Sequence, residues 1–238
     1  YTPAGNQSVS LPRGGAAESA TQLVARVIEA KGGLARLKAL KTITVTARAT
    51  GLGDNASQPA IETMTQLAYP NQVRVETTSD RGGTLQVFDG TTAWLRDPRG
   101  TREVPERMKS DLEMGLQRDT ISALLAVERG DLRARVLPDV RREVGATLRA
   151  VEVSGPRLEP MVLYVDAETG RIARQTYVAG GMGSPLVEEE FDDYRMVDGV
   201  SIAFKATVRV GGRPVIERRV LDVIVDRPLS PQLFKRPS

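Results

Sequence analysis

The stretch VPERMKSDLEMGLQRDTISALLAVERG, residues 104–130, decides the fold, because the apolar period changes there from two to about four. Val104, Met108, Leu112 and Leu116 recur at every fourth residue, and Ile121, Leu124 and Leu125 resume at i, i+3, i+4. Pro105 suits a first helical turn, and Gly130 suits the position just past a helix end. The phase slips between Leu116 and Ile121, where Gly115 weakens a helix and Asp119 can cap a new one. The spacing predicts two short helices, over 105–117 and 119–129. An amphipathic insert in a chain that otherwise reads as strand must lie on something, and what it covers decides the function.

Upstream, residues 1–15 are small, polar and rich in Pro and Gly, as in a linker, leaving 16–238 as a single domain. A helix opening at Glu18 or Ser19 carries an apolar stripe through Ala20, Leu23, Val24, Val27, Ile28 and Ala30, and Gly32-Gly33 ends it. Leu34, Leu37 and Leu40 predict one more turn. From Thr42 the period becomes two, with Ile43, Val45, Ala47 and Ala49 alternating against Thr and Arg. Strands follow over 61–69, 73–77, 85–88 and 92–96, joined by Pro70-Asn71, the turn at 80–83 and the tight-hairpin pair Asp89-Gly90. After the helical insert come 132–136, 140–144, 148–153, 161–165, 172–178, 186–196, 200–210 and 215–225, some of them short. Leu229, Leu233 and Phe234 in the tail can tuck back onto the sheet. With no helix crossing over between neighbouring strands, the sheet is antiparallel. About eleven strands are expected, and a sheet that large curls to give a concave face.

Composition narrows the chemistry. The 238 residues contain no Cys and no His, which removes thiol nucleophiles, imidazole bases, the usual zinc ligand sets and Ser-His-Asp triads. Net charge is +3 with acids and bases interspersed, and only 4% of residues are aromatic. Nucleic-acid binding, which clusters bases on one face beside stacking rings, is therefore not expected. No apolar run reaches the length of a membrane span. The chain starts at Tyr1 without a signal-peptide core, as a mature form or a piece of something longer would.

Glu188, Glu190 and Asp192 share one strand face and could approach a hard cation, but a single strand does not complete an oxygen shell; a solvated strand is the simpler reading. The turn at 166–170 has the look of the opening of a calcium loop without its spacing, and the Gly-rich 180–183 neither follows a parallel strand nor opens a helix. No metal and no cofactor are expected. Phe88 and Trp94 flank the Asp89-Gly90 turn and either line an apolar pocket or fill an ordinary core. Met108, Leu112, Met114 and Leu116 offer a flexible apolar surface, resting either on a ligand or on the sheet.

With the strands placed, several segments are familiar together. They are the helix ending in Lys31-Gly32-Gly33, FDGTTAWLRDPRG (88–100), VDAETGRIARQTY (165–177), FDDYRMVDGVSIAFKATV (191–208) and LDVIVDRPLSPQLFKRP (221–237). In order and spacing they resemble the periplasmic lipoprotein-carrier superfamily, the LolA/LolB-like proteins, over most of 16–238. The resemblance implies a mainly β, α+β fold: an incomplete antiparallel β-barrel whose helices cover the concave face. It also implies a periplasmic or extracytoplasmic, non-enzymatic domain with an apolar cavity for an acyl chain or other hydrophobic ligand, released when the 104–130 lid opens. None of the carriers' functional residues maps onto a position here. The lead-in also resembles the linker joining an insulinase-type peptidase to such a domain. That implies a second reading, an accessory domain that binds a protein partner or an upstream domain; peptidase chemistry itself needs two His.

Overall fold

The structure is a computed structural model describing residues 18–80, 82–140, 147–156, 158–179 and 184–238. The expected linker at 1–15, most of the expected strand 140–144, and the glycines at 180–183 lie outside the described residues.

The chain opens with α1 (Ala20–Lys31) and α2 (Leu34–Ala39). A capping box starts α1, in which Ser19 Oγ accepts from the Gln22 amide and Gln22 Oε1 accepts from the Ser19 amide. Gly32 stops it at φ 135°, where a Cβ would overlap the Gly199 carbonyl, so α1 lies directly against the turn at 198–199. Six strands follow: β1 (Thr42–Gly51), β2 (Ile61–Ala68), β3 (Gln72–Ser79), β4 (Gly82–Phe88), β5 (Ala93–Asp97) and β6 (Gly100–Glu103). Then come α3 (Glu106–Arg118) and α4 (Thr120–Arg129). Seven more strands complete the fold: β7 (Arg133–Val140), β8 (Leu148–Gly155), β9 (Leu158–Asp166), β10 (Ile172–Val178), β11 (Leu186–Val197), β12 (Val200–Val210) and β13 (Arg213–Val225).

All thirteen strands belong to one antiparallel sheet in the order β6-β5-β4-β3-β2-β1-β13-β12-β11-β10-β9-β8-β7. Thirteen exceeds the expected count of about eleven, and β6 was not among the expected strands: its sequence GTRE has no apolar alternation and it forms through backbone pairing to β5. Two consecutive meanders are thus joined where β1 pairs with β13, and the sheet does not close. Its open edges are β6 and β7, the strands on either side of α3–α4 in the sequence. The insert therefore runs from one edge of the curled sheet to the other.

The main core lies under the helices. Leu23, Val24, Val27 and Ile28 of α1 and Ile121, Ala123 and Leu124 of α4 pack with Val151, Val153, Met161, Leu163 and Val165 of β8 and β9. Each fully buried side chain of this kind contributes about 1.5–3 kcal/mol of burial free energy. A second cluster joins Leu112 and Leu116 of α3 to Val73, Phe88, Ala93 and Val104. A third joins Leu85, Val87 and Trp94 to Leu229, Leu233 and Phe234 of the tail, which docks on the sheet as the sequence predicts. At the join of the meanders, Asp226 Oδ1 accepts from the Lys41 amide at 2.8 Å and its Oδ2 meets Arg36 Nη1 at 2.9 Å.

Candidate functional site

The central strands and the α3–α4 junction line a half-open cavity of about 430 Å³. Its apolar surface comes from Ile43, Val45, Leu67, Phe191, Ile202 and Val220, placed inward by the two-residue period of β1, β2, β11, β12 and β13. On β11 the alternation sends Val187, Glu189 and Phe191 one way. Glu188 and Glu190 go the other, and pair with Arg174 and Arg209 on the neighbouring strands. Those pairs give the acidic run its role. Among the described residues, no group of three or more metal-ligating side chains comes together. Asp193, at φ 51°, interrupts the alternation, and Tyr194 joins Phe191 on the cavity wall.

The rest of the lining is polar, and most of it is mutually bonded. Asp119 sits between the two helices, as the phase slip predicts. Its Oδ2 caps α4 by accepting from the Ser122 amide at 2.9 Å and the Ser122 hydroxyl at 3.0 Å. The same oxygen accepts from the Tyr69 hydroxyl at 3.2 Å. Burial, reinforced by the Asp119 charge, holds the Tyr69 phenol well above its ordinary pKa. Opposite, the Tyr177 hydroxyl donates to Glu189 Oε1 at 2.8 Å, while Arg218 Nη2 lies 3.3 Å from Glu189 Oε2. Burial and that carboxylate push Tyr177 up as well. Arg118 closes the end of α3: its guanidinium lies 4.4 Å over the Tyr177 ring and its Nη2 donates to the Val178 carbonyl at 2.9 Å. Gln175 Nε2 donates at 3.2 Å to the Arg118 carbonyl, one of the acceptors left free at a helix end.

Lys31, the last residue of α1, also lines the cavity, with its ammonium 5.9 Å from the centre of the Tyr194 ring. Burial lowers its pKa, and the Asp119 charge offsets part of that effect. The arrangement can enclose an apolar chain and present fixed charges and phenols to a polar end.

Of the residues singled out from sequence, Phe88, Leu112 and Leu116 come together against β3 and β5. Phe88 and Leu116 also line a second cavity, of about 610 Å³, beside α3 and α4. Met108 is 37% exposed, and Met114 Sδ lies 3.8 Å from Arg118 Nη2. Trp94 is elsewhere. The turn after Phe88 sets a register in which Phe88 faces Ala93 and Val87 faces Trp94. Paired residues share a face, so Phe88 and Trp94 lie on opposite faces of the sheet and do not touch. Trp94 packs with the tail around Phe234. Lys31, Tyr69, Arg118, Tyr177, Glu189, Tyr194 and Arg218 were missed. They come from five elements and the link after β2, so no local spacing groups them; only the inward face of Glu189 and Phe191 was legible.

No protein-family model matches the sequence, and no curated protein matches it. Solved structures do match, over nearly the whole chain. A LolA superfamily protein from Nitrosomonas europaea aligns with TM-score 0.66 at 12% identity, covering 92% of this chain and 98% of that one. A DUF1329 family protein from Desulfovibrio piger gives 0.61 at 12%, covering 92% and 98%. An outer membrane lipoprotein-sorting protein domain from Vibrio parahaemolyticus gives 0.59 at 14%, covering 90% and 94%. At such identities the likeness is one of fold, and the incomplete barrel spanned by its helices is the LolA-like fold.

Proposed function

We propose that this chain is a non-catalytic carrier domain of the bacterial cell envelope that takes an acyl chain or similar hydrophobic ligand between the curled sheet and the α3–α4 insert. The observation that carries the reading is the cavity of about 430 Å³ floored by Ile43, Val45, Leu67, Phe191, Ile202 and Val220. It falls within the range of about 300–1,000 Å³ of small-molecule sites. Binding draws on removal of apolar surface from water, at about 0.8 kcal/mol per buried CH₂, and needs no chemistry. The LolA-like fold and the lipoprotein-sorting description of the Vibrio parahaemolyticus domain support the envelope setting and the class of ligand. No helix among the described residues is long and apolar enough to cross a membrane.

The test is lipid uptake by the purified chain. Native mass spectrometry is expected to show an added mass of one lipid, and a fluorescent fatty acid is expected to bind at about one per chain. Absence of both would overturn the carrier reading.

A further inference from the structure

We propose that the cavity selects amphiphiles with an anionic head, and that Lys31 is the group that receives the head; this deepens the carrier reading and rests on it. The charge balance of the lining points that way. Three cations face the cavity, Lys31, Arg118 and Arg218, against two carboxylates, Asp119 and Glu189. Both carboxylates are already engaged. Glu189 is held by the Tyr177 hydroxyl and Arg218, and Asp119 by the Tyr69 hydroxyl and the amide and hydroxyl of Ser122. Arg118 gives its hydrogen bonds to the neutral Val178 carbonyl and the Met114 sulfur and stacks on the neutral Tyr177 ring, and makes no ion pair among the described residues.

Lys31 is the extreme case. Among the described residues its ammonium has no hydrogen bond and no ion pair, only the Tyr194 ring at 5.9 Å and the field of the Asp119 charge. A lysine that merely complemented the end of α1 would do so from solvent, where its charge is hydrated at no cost. Here the stem brings the charge, half-buried, to the wall of the cavity, where no anion meets it and part of its hydration is lost until one arrives. A carboxylate or phosphate at Lys31 would complete the missing pair at one side of the space. Its chain would then lie along Ile43, Val45, Ile202 and Val220. Neutral lipids of equal length would leave the ammonium unpaired, and a free anion would lack the chain's contribution.

The experiment is calorimetric titration of the full chain at neutral pH and low salt with four probes below their aggregation limits. These are oleate, oleoyl lysophosphatidylglycerol, neutral mono-oleoylglycerol and chain-free acetate or phosphate. The expected result is at least about tenfold tighter binding of either anionic amphiphile than of the neutral one, with no binding of the chain-free anions. Whichever of oleate and the lysophospholipid binds tighter identifies the head as carboxylate or phosphate. In Lys31→Met the preference is expected to fall to within about threefold, and Lys31→Arg is expected to keep it. Lys235→Met, in the tail on the opposite face of the sheet, is expected to keep it too. Equal affinity for neutral and anionic chains in the unaltered protein, or a preference that survives Lys31→Met, would overturn the selection while leaving the carrier reading intact. Tight binding of acetate or phosphate alone would also overturn it. Failure of every chain to bind would bring down the carrier reading itself.

Discussion

The two helices of the 104–130 insert differ in how they are held. In α4, Ile121, Ala123 and Leu124 are buried in the main core beside α1 and β9, whereas α3 has no fully buried residue. At its C-terminal end α3 is fastened by Arg118 and Gln175 to β10; along its length Leu112 and Leu116 pack on the cluster of β3 and β5, and the helix also touches β9. Both helices are amphipathic and read alike in sequence, yet one is part of the core and the other lies on its margin. Local opening is cheapest where buried apolar contacts are fewest. In the proposed carrier we infer that α3 serves as the lid and α4 as its fixed base.

The sharpest way to break that comparison is to truncate equivalent residues on each helix. Leu124→Ala is expected to cost about 2–5 kcal/mol of global stability in urea unfolding, the range for a fully buried leucine. An effect below about 1 kcal/mol would show that α4 is no more anchored than α3. Asp119→Ala removes the cap of α4 and the partner of Tyr69, and is expected to cost about 1–2 kcal/mol. It should also raise exchange of the Ser122 amide, which loses its acceptor, while the amides of Leu124 to Val127, held in the main core, stay protected.

Lys31→Met should stabilise the protein at pH 7, because it removes a half-buried charge whose hydration is partly lost on folding. The sign follows from linkage: a folded-state pKa below that of the free side chain means the unfolded chain holds more protons in the window between the two. Wild-type stability therefore gains on the variant as pH rises toward about 10.5, and the difference in melting temperature should shrink there. A constant difference from pH 7 to that limit would place the Lys31 ammonium in water. The smallest expected effect is that of Leu112→Ala on α3, about 1 kcal/mol or less. It should nevertheless speed fluorescent fatty-acid uptake in stopped flow, whereas a change in stability without a change in rate would deny α3 the role of lid.

Much of this is legible in the sequence. The expected helices 105–117 and 119–129 appear as Glu106–Arg118 and Thr120–Arg129, because the four-residue period and the Asp119 cap are local signals. The capping of α1 and the docking of Phe234 were legible for the same reason. The candidate site was far less so. Phe88 and Trp94 were separated by a register that only the closed hairpin reveals, and a lysine in the last turn of a helix normally signals nothing beyond the helix dipole.

The sequence by itself determined the alternation of each strand, the helix ends and the exclusion of imidazole and thiol chemistry, since these depend on neighbouring residues and on composition. Tertiary structure alone decided that β1 meets β13, that the insert between β6 and β7 runs between the two open edges, and that α3 and α4 have different depths. It also gathered Lys31, Tyr69, Arg118, Tyr177, Glu189 and Arg218 around one space. Their approach depends on how far the sheet curls, and curling is a property of all thirteen strands together.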